Sequence, residues 1–243
     1  MKIVFLYNHC PMTQKTKKDL HIPFTWEERR PVFLDRLFYI PKVYDHASDA
    51  KIDWTSSEIF GNNNPISMEI CSGNGQWVGA KALANPERNW VAVEMCFERA
   101  RTIWLKVHRQ KIPNLYVICA EASAFIKYYV TEKSVEEAYV NFPDPWPKRC
   151  HAKHRLLWAP FLQSLETVVS GKVTLATDDE PYHNQMVEEF AKSGVWTPKE
   201  FDPSKKETYG DSFFADLWIA KGRSLHYLQY EAKVNAEVVC GHC

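Results

Sequence analysis

At 243 residues, with 45% apolar side chains that include nine tryptophans and thirteen phenylalanines, the chain is long enough to bury a sizeable core in one large domain or two small ones. Lysine plus arginine equals aspartate plus glutamate at 30 each, which excludes a global electrostatic argument for a nucleic-acid partner and leaves only a local one. Seven cysteines, odd in number and scattered from Cys10 to Cys243, do not make the framework of a small secreted disulfide protein and point to a reducing cytoplasm.

The opening MKIVFLYN is too short an apolar run for a signal-peptide core, and no stretch approaches the roughly 20 apolar residues of a membrane span. A soluble, untargeted protein is expected. Residues 1–50 mix apolar and charged positions without clean helical spacing, and form an N-terminal extension that is either an arm contacting a large substrate or a segment packed on the domain.

From Asn64 the pattern becomes regular. PISMEI reads as a strand, CSGNG as a tight glycine turn and QWVGAKALA as the helix that follows it. NWVAVEM is a second strand, and CFERARTIWLKVHRQ an amphipathic helix with Phe97, Ala100, Trp104, Leu105 and His108 near one face. NLYVICA, SAFIKYYV and EEAYVNF continue as strand, helix and strand. HAKHRLLWAPFLQSLETVV reads as a helix, GKVTLATD as a fifth strand and PYHNQMVEEFAKSG as a helix with a glycine stop. FDPSKKETYGDSFFADLWIAKG reads as two strands joined by a polar loop. This alternation predicts right-handed crossovers and a parallel sheet with helices on both faces, in a domain over residues 51–231 followed by a tail, 232–243. The tail ends in CGHC, but Cys240 and Cys243 have neither a following helix to acidify a thiol nor a second ligand pair at zinc spacing, so no metal is expected.

Ligands of such sheets collect at the C-terminal strand ends. Four carboxylates fall there: Glu69 before the glycine turn, Glu94 closing the second strand, Glu121 after the third and Asp144 after the fourth. An adenosine-bearing cofactor without phosphates fits this rim, because a carboxylate after the second strand can accept from both ribose hydroxyls while Gly73 and Gly75 allow close backbone approach. A dinucleotide fits less well: the turn lacks the third glycine of the usual spacing, and pyrophosphate would be repelled.

NFPDPWPK, residues 141–148, is stiff along its whole length. Pro143, Pro145 and Pro147 fix their own φ and push Phe142, Asp144 and Trp146 out of the helical region, which suits a loop presenting a carboxylate and an aromatic ring in fixed directions. Phe142 and Trp146 either stack on a substrate or pack. Between Asp144 and Glu166 there is no acid, whereas Lys148, Arg149, Lys153 and Arg155 bring four positive charges with His151 and His154 among them, the local footprint that an RNA backbone requires.

These motifs support recognition. Over residues 53–220, through E-x-x-x-G-x-G at Glu69 to Gly75, NPERNWVAVEM, NLYVICAEA, NFPDPWPK with RCHAKHR, and ATDDEPY, the chain resembles the tRNA (guanine-N7)-methyltransferase family of class I S-adenosylmethionine-dependent methyltransferases. The resemblance implies an α/β fold: a doubly wound, mostly parallel seven-stranded sheet with an antiparallel C-terminal hairpin. It implies S-adenosyl-L-methionine as cofactor and a guanosine in tRNA, in the variable loop, as substrate, with no obligatory protein partner and no membrane. It also implies that Glu69, Gly73, Gly75, Glu94 and Glu121 surround the cofactor and that Asp144, the catalytic residue, lies between cofactor and base. Lys148, Asp178, Thr208 and Asp211 would contact the substrate, and Arg149, Lys153 and Arg155 the RNA. Cys71 stands where the family usually has the first glycine, Glu121 where aspartate is commoner, and Asp211 where a glutamate is usual. A methyltransferase acting on another RNA or on an exocyclic amine, and a non-catalytic RNA-binding module on the same fold, are the competing readings.

Overall fold

The computed structural model describes residues 15–21, 29–46, 49–201, 209–210 and 212–233. Its centre is the run of strands read from the sequence: β3 (Ile66–Ile70), β4 (Asn89–Glu94), β5 (Leu115–Cys119), β6 (Val135–Asn141) and β7 (Val169–Thr177). All five lie parallel, in the spatial order β5-β4-β3-β6-β7. Every residue of β3, β4 and β5 is buried, as expected of parallel strands covered on both faces.

Between them run α2 (Gln76–Ala84), α3 (Phe97–Gln110), α4 (Ala122–Tyr129), α5 (Ala159–Val168) and α6 (Glu180–Ser193); the four-residue α1 (Ser57–Phe60) precedes β3. Two apolar layers result. One gathers Phe125 and Tyr129 of α4, Leu162 and Leu165 of α5 and Phe190 of α6; the other gathers Trp77 and Val78 of α2 with Ile103 and Trp104 of α3. The helices thus cover both faces, and the sheet is doubly wound.

Among the described residues the sheet has nine strands where seven were expected. The two additional ones come from the N-terminal segment, where β1 (Val32–Leu34) and β2 (Leu37–Tyr39) form an antiparallel hairpin whose second strand pairs parallel with β5. Phe33 stacks on Phe38 at 4.2 Å, and both are buried. Just beyond, His46 Nδ1 lies 2.8 Å from Tyr129 Oη, tying this segment to α4. Of the two readings of residues 1–50, the described part of this stretch packs on the domain.

Two further expectations are corrected. The helix expected from His151 onward begins only at Ala159; before it come a 3-10 turn, Arg149–His154, and an extended stretch, because Pro160 is admitted only in the first turn of a helix. The apolar run FFADLWIA is not a strand but α7 (Phe213–Ala220), capped by Ser212, whose Oγ accepts from the Ala215 amide at 3.0 Å. The antiparallel C-terminal pair is instead β8 (Trp196–Lys199) with β9 (His226–Ala232), β9 lying against β7. Thr208, Asp211, Cys240 and Cys243 lie outside the described residues. Among the described residues no helix is long and apolar enough to cross a membrane.

Candidate active site at the strand-end crevice

The chain leaves β3 toward β4 and β5 on one side and returns to β6 on the other, so the sheet switches direction between β3 and β6. A small open crevice lies at this switch point, lined by Glu69, Cys71, Asn141, Phe142, Ser212 and Phe214 among others. Helix α7 and its cap supply the last two residues and so form a wall of the site.

Beneath it the glycine turn is wound by three left-handed residues, Cys71 (φ 66°), Gly73 (φ 57°) and Gly75 (φ 67°). Cys71 therefore keeps the backbone a glycine would adopt, at a cost on the order of 1–3 kcal/mol for a residue with a side chain. Burial pushes its thiol pKa well up, so it stays neutral. Gly75 has no such latitude: a Cβ there would stand 2.8 Å from Ile103 Cγ1.

Glu94 stabilises the turn from β4. Its carboxylate accepts from the Gly73 and Cys96 amides at 2.8 Å each, which leaves lone pairs for a ligand. Glu69, only 2% exposed, accepts from Asn141 Nδ2 at 2.8 Å through Oε1, while its Oε2 is buried without a partner. Burial pushes the Glu69 carboxyl up to about 7, and the negative charge of Glu94 adds to the effect. Burial raises Glu94 too, with Asp144 contributing the same way. The structure thus brings Glu69, Glu94 and Asp144 within electrostatic reach of one another.

Glu121 sits at the start of α4, two strands from the switch point, and pairs with Lys42 at 3.1 Å. Lys42 carried no signal in the sequence. This donor set fits an adenosine-bearing, cationic cofactor: an acidic residue for the ribose at Glu94 and an unpartnered buried oxygen at Glu69 for positive charge.

The NFPDPWPK loop leaves β6 with the Phe142 amide donating to Ala176 O at 2.8 Å. Phe142 (φ 48°) and Trp146 (φ 42°) are left-handed, outside the right-handed helical region as expected of residues preceding proline. The proline rings exclude the right-handed region; the chain satisfies that exclusion by turning sharply, and aromatic residues are costly in this conformation. Phe142 packs with Phe214 at 6.4 Å between ring centroids. Trp146, 37% exposed, rests on His154 at 5.3 Å and His151 at 5.8 Å. Between them in the chain, Asp144 is exposed.

Lys148 and Lys153 are exposed beyond the loop, and the backbone of Arg149 opens the 3-10 turn. Arg155 turns inward: its Nε donates to Pro145 O at 2.6 Å, its Nη1 donates to Gln185 of α6, and its guanidinium lies 4.9 Å from the Tyr182 ring. Asp178, with a side chain 6% exposed, is paired with Arg223, which stacks 4.2 Å over Trp218. Tyr209 lies between Thr208 and Asp211 in the chain and is buried; its hydroxyl donates to Asn141 Oδ1, and its carbonyl accepts from Trp77 Nε1 at 2.6 Å. Sequence reasoning missed Asn141, Tyr209, Phe214, Gln185 and Arg223. Asn141 opens the most distinctive motif, whereas the others are legible only once distant segments meet.

A family model described as "Putative methyltransferase" (Methyltransf_4) matches residues 63–223. Among curated proteins, the tRNA (guanine-N(7)-)-methyltransferase of Chlamydia felis is 42% identical over 89% of this chain and 97% of its own length. That of Chlamydia trachomatis serovar D is 39% identical over 89% and 98%. Among solved structures, a variant of the 16S rRNA (adenine(1408)-N(1))-methyltransferase from Catenulisporales acidiphilia has a TM-score of 0.52 at 16% identity, covering 79% of this chain and 95% of that one. The 16S rRNA methyltransferase KamB has a TM-score of 0.51 at 16% identity, covering 70% and 89%. These two likenesses concern the fold, that of class I methyltransferases. The sequence relatives go further: the chain belongs to the tRNA (guanine-N(7)-)-methyltransferase family.

Proposed function

We propose that this protein transfers the methyl group of S-adenosylmethionine to N7 of a guanosine in the variable loop of tRNA. The observation that carries the reading is the meeting, at the β3–β6 switch point, of the unpartnered buried oxygen of Glu69 with the NFPDPWPK loop that presents Asp144. When bound, the cofactor supplies a methyl carbon whose bond to sulfur breaks as the bond to nitrogen forms, the electron pair returning to sulfur.

Guanine N7 offers an in-plane lone pair and carries no proton, so no general base is required and the base becomes cationic. Asp144 answers that charge electrostatically and hydrogen-bonds the base or ribose. Glu94 accepts from the ribose hydroxyls of the cofactor, Glu69 faces its positive charge, and Gly73, Gly75 and Glu121 complete its surround. Lys148, Asp178, Thr208 and Asp211 contact the substrate nucleotide. Lys153 and Arg149 meet the RNA backbone, with Arg155 at the inner edge of the same turn. A base held in folded tRNA has to be turned outward to reach the crevice. The free thiols of Cys71, Cys96, Cys119 and Cys150 suit a reducing cytoplasm.

The test is incubation of unmodified tRNA with cofactor labelled in the methyl group, digestion to nucleosides and mapping of the label. N7-methylguanosine from the variable loop is expected. Label on an exocyclic amine would assign the site to a different methyltransferase class, and cofactor binding without transfer would leave an RNA-binding module.

A further inference from the structure

We infer that Arg155 is a positioning residue for the catalytic loop: its guanidinium clamps the peptide between Pro145 and Trp146 to helix α6, and so sets where Asp144 stands. The inference rests on the proposed methyl transfer for its kinetic consequence and on geometry alone for its structural one. Arg155 Nε donates to Pro145 O at 2.6 Å, and Nη1 donates to Gln185 Oε1. The face of the guanidinium lies 4.9 Å from the Tyr182 ring. Tyr182 is itself fixed: it is fully buried, its amide donates to Asp179 Oδ1 at 2.8 Å and its hydroxyl accepts from the Leu157 amide at 3.2 Å. Arg155 is therefore seated on a rigid helix and reaches across to the loop.

What it holds matters because of the loop's covalent geometry. The Pro145 ring fixes its φ, so once the Pro145 carbonyl is pinned, little backbone freedom remains between that carbonyl and Asp144. The same peptide leads into Trp146, whose φ of 42° is costly for an aromatic residue. A charge-assisted hydrogen bond on the carbonyl of that peptide offsets the strain and keeps the turn from relaxing. Arg155 thus differs from the lysines around it. Lys148 and Lys153 are exposed, whereas two of its donors and one of its faces are already committed within the protein.

A charge-conserving substitution separates this role from a phosphate contact. In Arg155→Lys, a lysine retains the positive charge that RNA would feel but lacks the planar fork that reaches Pro145 and Gln185 together. Single-turnover methylation at saturating tRNA and cofactor should fall at least about tenfold, because a small displacement of a catalytic group is costly. The salt dependence of tRNA binding should stay at the wild-type slope. In the free protein, hydrogen exchange should quicken at the Phe142 amide, which donates to Ala176 O at 2.8 Å, and at the His151 amide, which donates to Lys148 O at 2.8 Å, a readout independent of activity.

Gln185→Leu, which leaves every charge in place, should quicken the same amides and lower the same rate, and the double variant should be little worse than Arg155→Lys alone. Unchanged exchange and rate in both variants would overturn the clamp. So would an Arg155→Ala variant with unaltered loop exchange whose log–log salt slope drops by about 0.7–0.9, the signature of one phosphate no longer neutralised. If wild type made no N7-methylguanosine yet both variants quickened loop exchange, the clamp would stand and the proposed function would fall.

Discussion

Replacing Glu69 by glutamine should make the cofactor-free protein more stable and a poorer binder of its cofactor. Glutamine keeps the length of the side chain and the oxygen that accepts from Asn141 Nδ2, but it cannot ionise. Burial moves the Glu69 carboxyl from the 4.5 of an ordinary glutamate up to about 7, so ionising it inside the fold is unfavourable. At about 1.4 kcal/mol per pKa unit, the full difference is on the order of 3 kcal/mol. The sign follows from proton linkage. Below about pH 4.5 both folded and unfolded chains hold the proton and nothing is lost. As pH rises toward about 7 the unfolded chain has already released it and the folded chain has not, so wild type loses stability across that window.

The glutamine variant escapes this loss, and its advantage should grow by about 2–3 kcal/mol between about pH 5 and about pH 8. Urea unfolding of both proteins without cofactor, at intervals across that range, measures it. Glu94, whose charge raises Glu69, and Lys106, whose charge lowers it, are present in both proteins, so the difference isolates position 69 to first order. A cationic cofactor reverses the balance, because it makes the ionised carboxylate favourable; added S-adenosylmethionine should stabilise wild type more than the variant. Parallel stability profiles in pH for the two proteins would refute the argument that burial of this carboxylate is costly.

Four other outcomes are expected. Asp144→Asn keeps the shape but loses the charge, so single-turnover methylation should fall by roughly 10²–10³ with little change in cofactor affinity; a rate equal to wild type would make Asp144 a shaping residue only. Glu94→Ala removes the acceptor at the end of β4 and should weaken cofactor binding, followed by calorimetry, by about 1–3 kcal/mol, whereas unchanged affinity would take Glu94 out of the ribose contact. Gly75→Ala places a methyl group 2.8 Å from Ile103 Cγ1 in a left-handed residue and should cost about 1–3 kcal/mol or more; an unmoved urea midpoint would mean that the turn relaxes freely. Changing Lys148, Arg149 and Lys153 to glutamine should lower the log–log salt slope of tRNA binding by about 0.7–0.9 for each phosphate no longer neutralised, and a wild-type slope would put the RNA elsewhere.

The alternation of strands and helices from Ile66 to Ser193, the left-handed glycine turn and the acids at the strand ends were legible from residue order alone. Each depends on local rules: apolar periodicity, the conformational freedom of glycine, and the fact that a parallel strand ends where its helix connection begins. The stiffness of NFPDPWPK was legible for the same reason, since proline acts on its own φ and on its neighbour.

What remained required the third dimension. FFADLWIA is apolar almost throughout, and a short continuous apolar run does not distinguish strand from helix. Its helical state rests on the Ser212 cap and on the packing of Phe214 over Gly73 and Phe142. Strands β1 and β2 are three residues each, too short for a period to show, and persist because β5 offers a free edge. The left-handed backbone at Phe142 and Trp146 follows from a ladder bond to Ala176 and a carbonyl held by Arg155. Charge patterning grouped Arg155 with Lys148 and Lys153 and left Asp178 unpartnered. Which way a charged side chain turns is decided by its partners, and those of Arg155 and Asp178, Gln185 and Arg223, lie 30 and 45 residues away in sequence and beside them only in the fold.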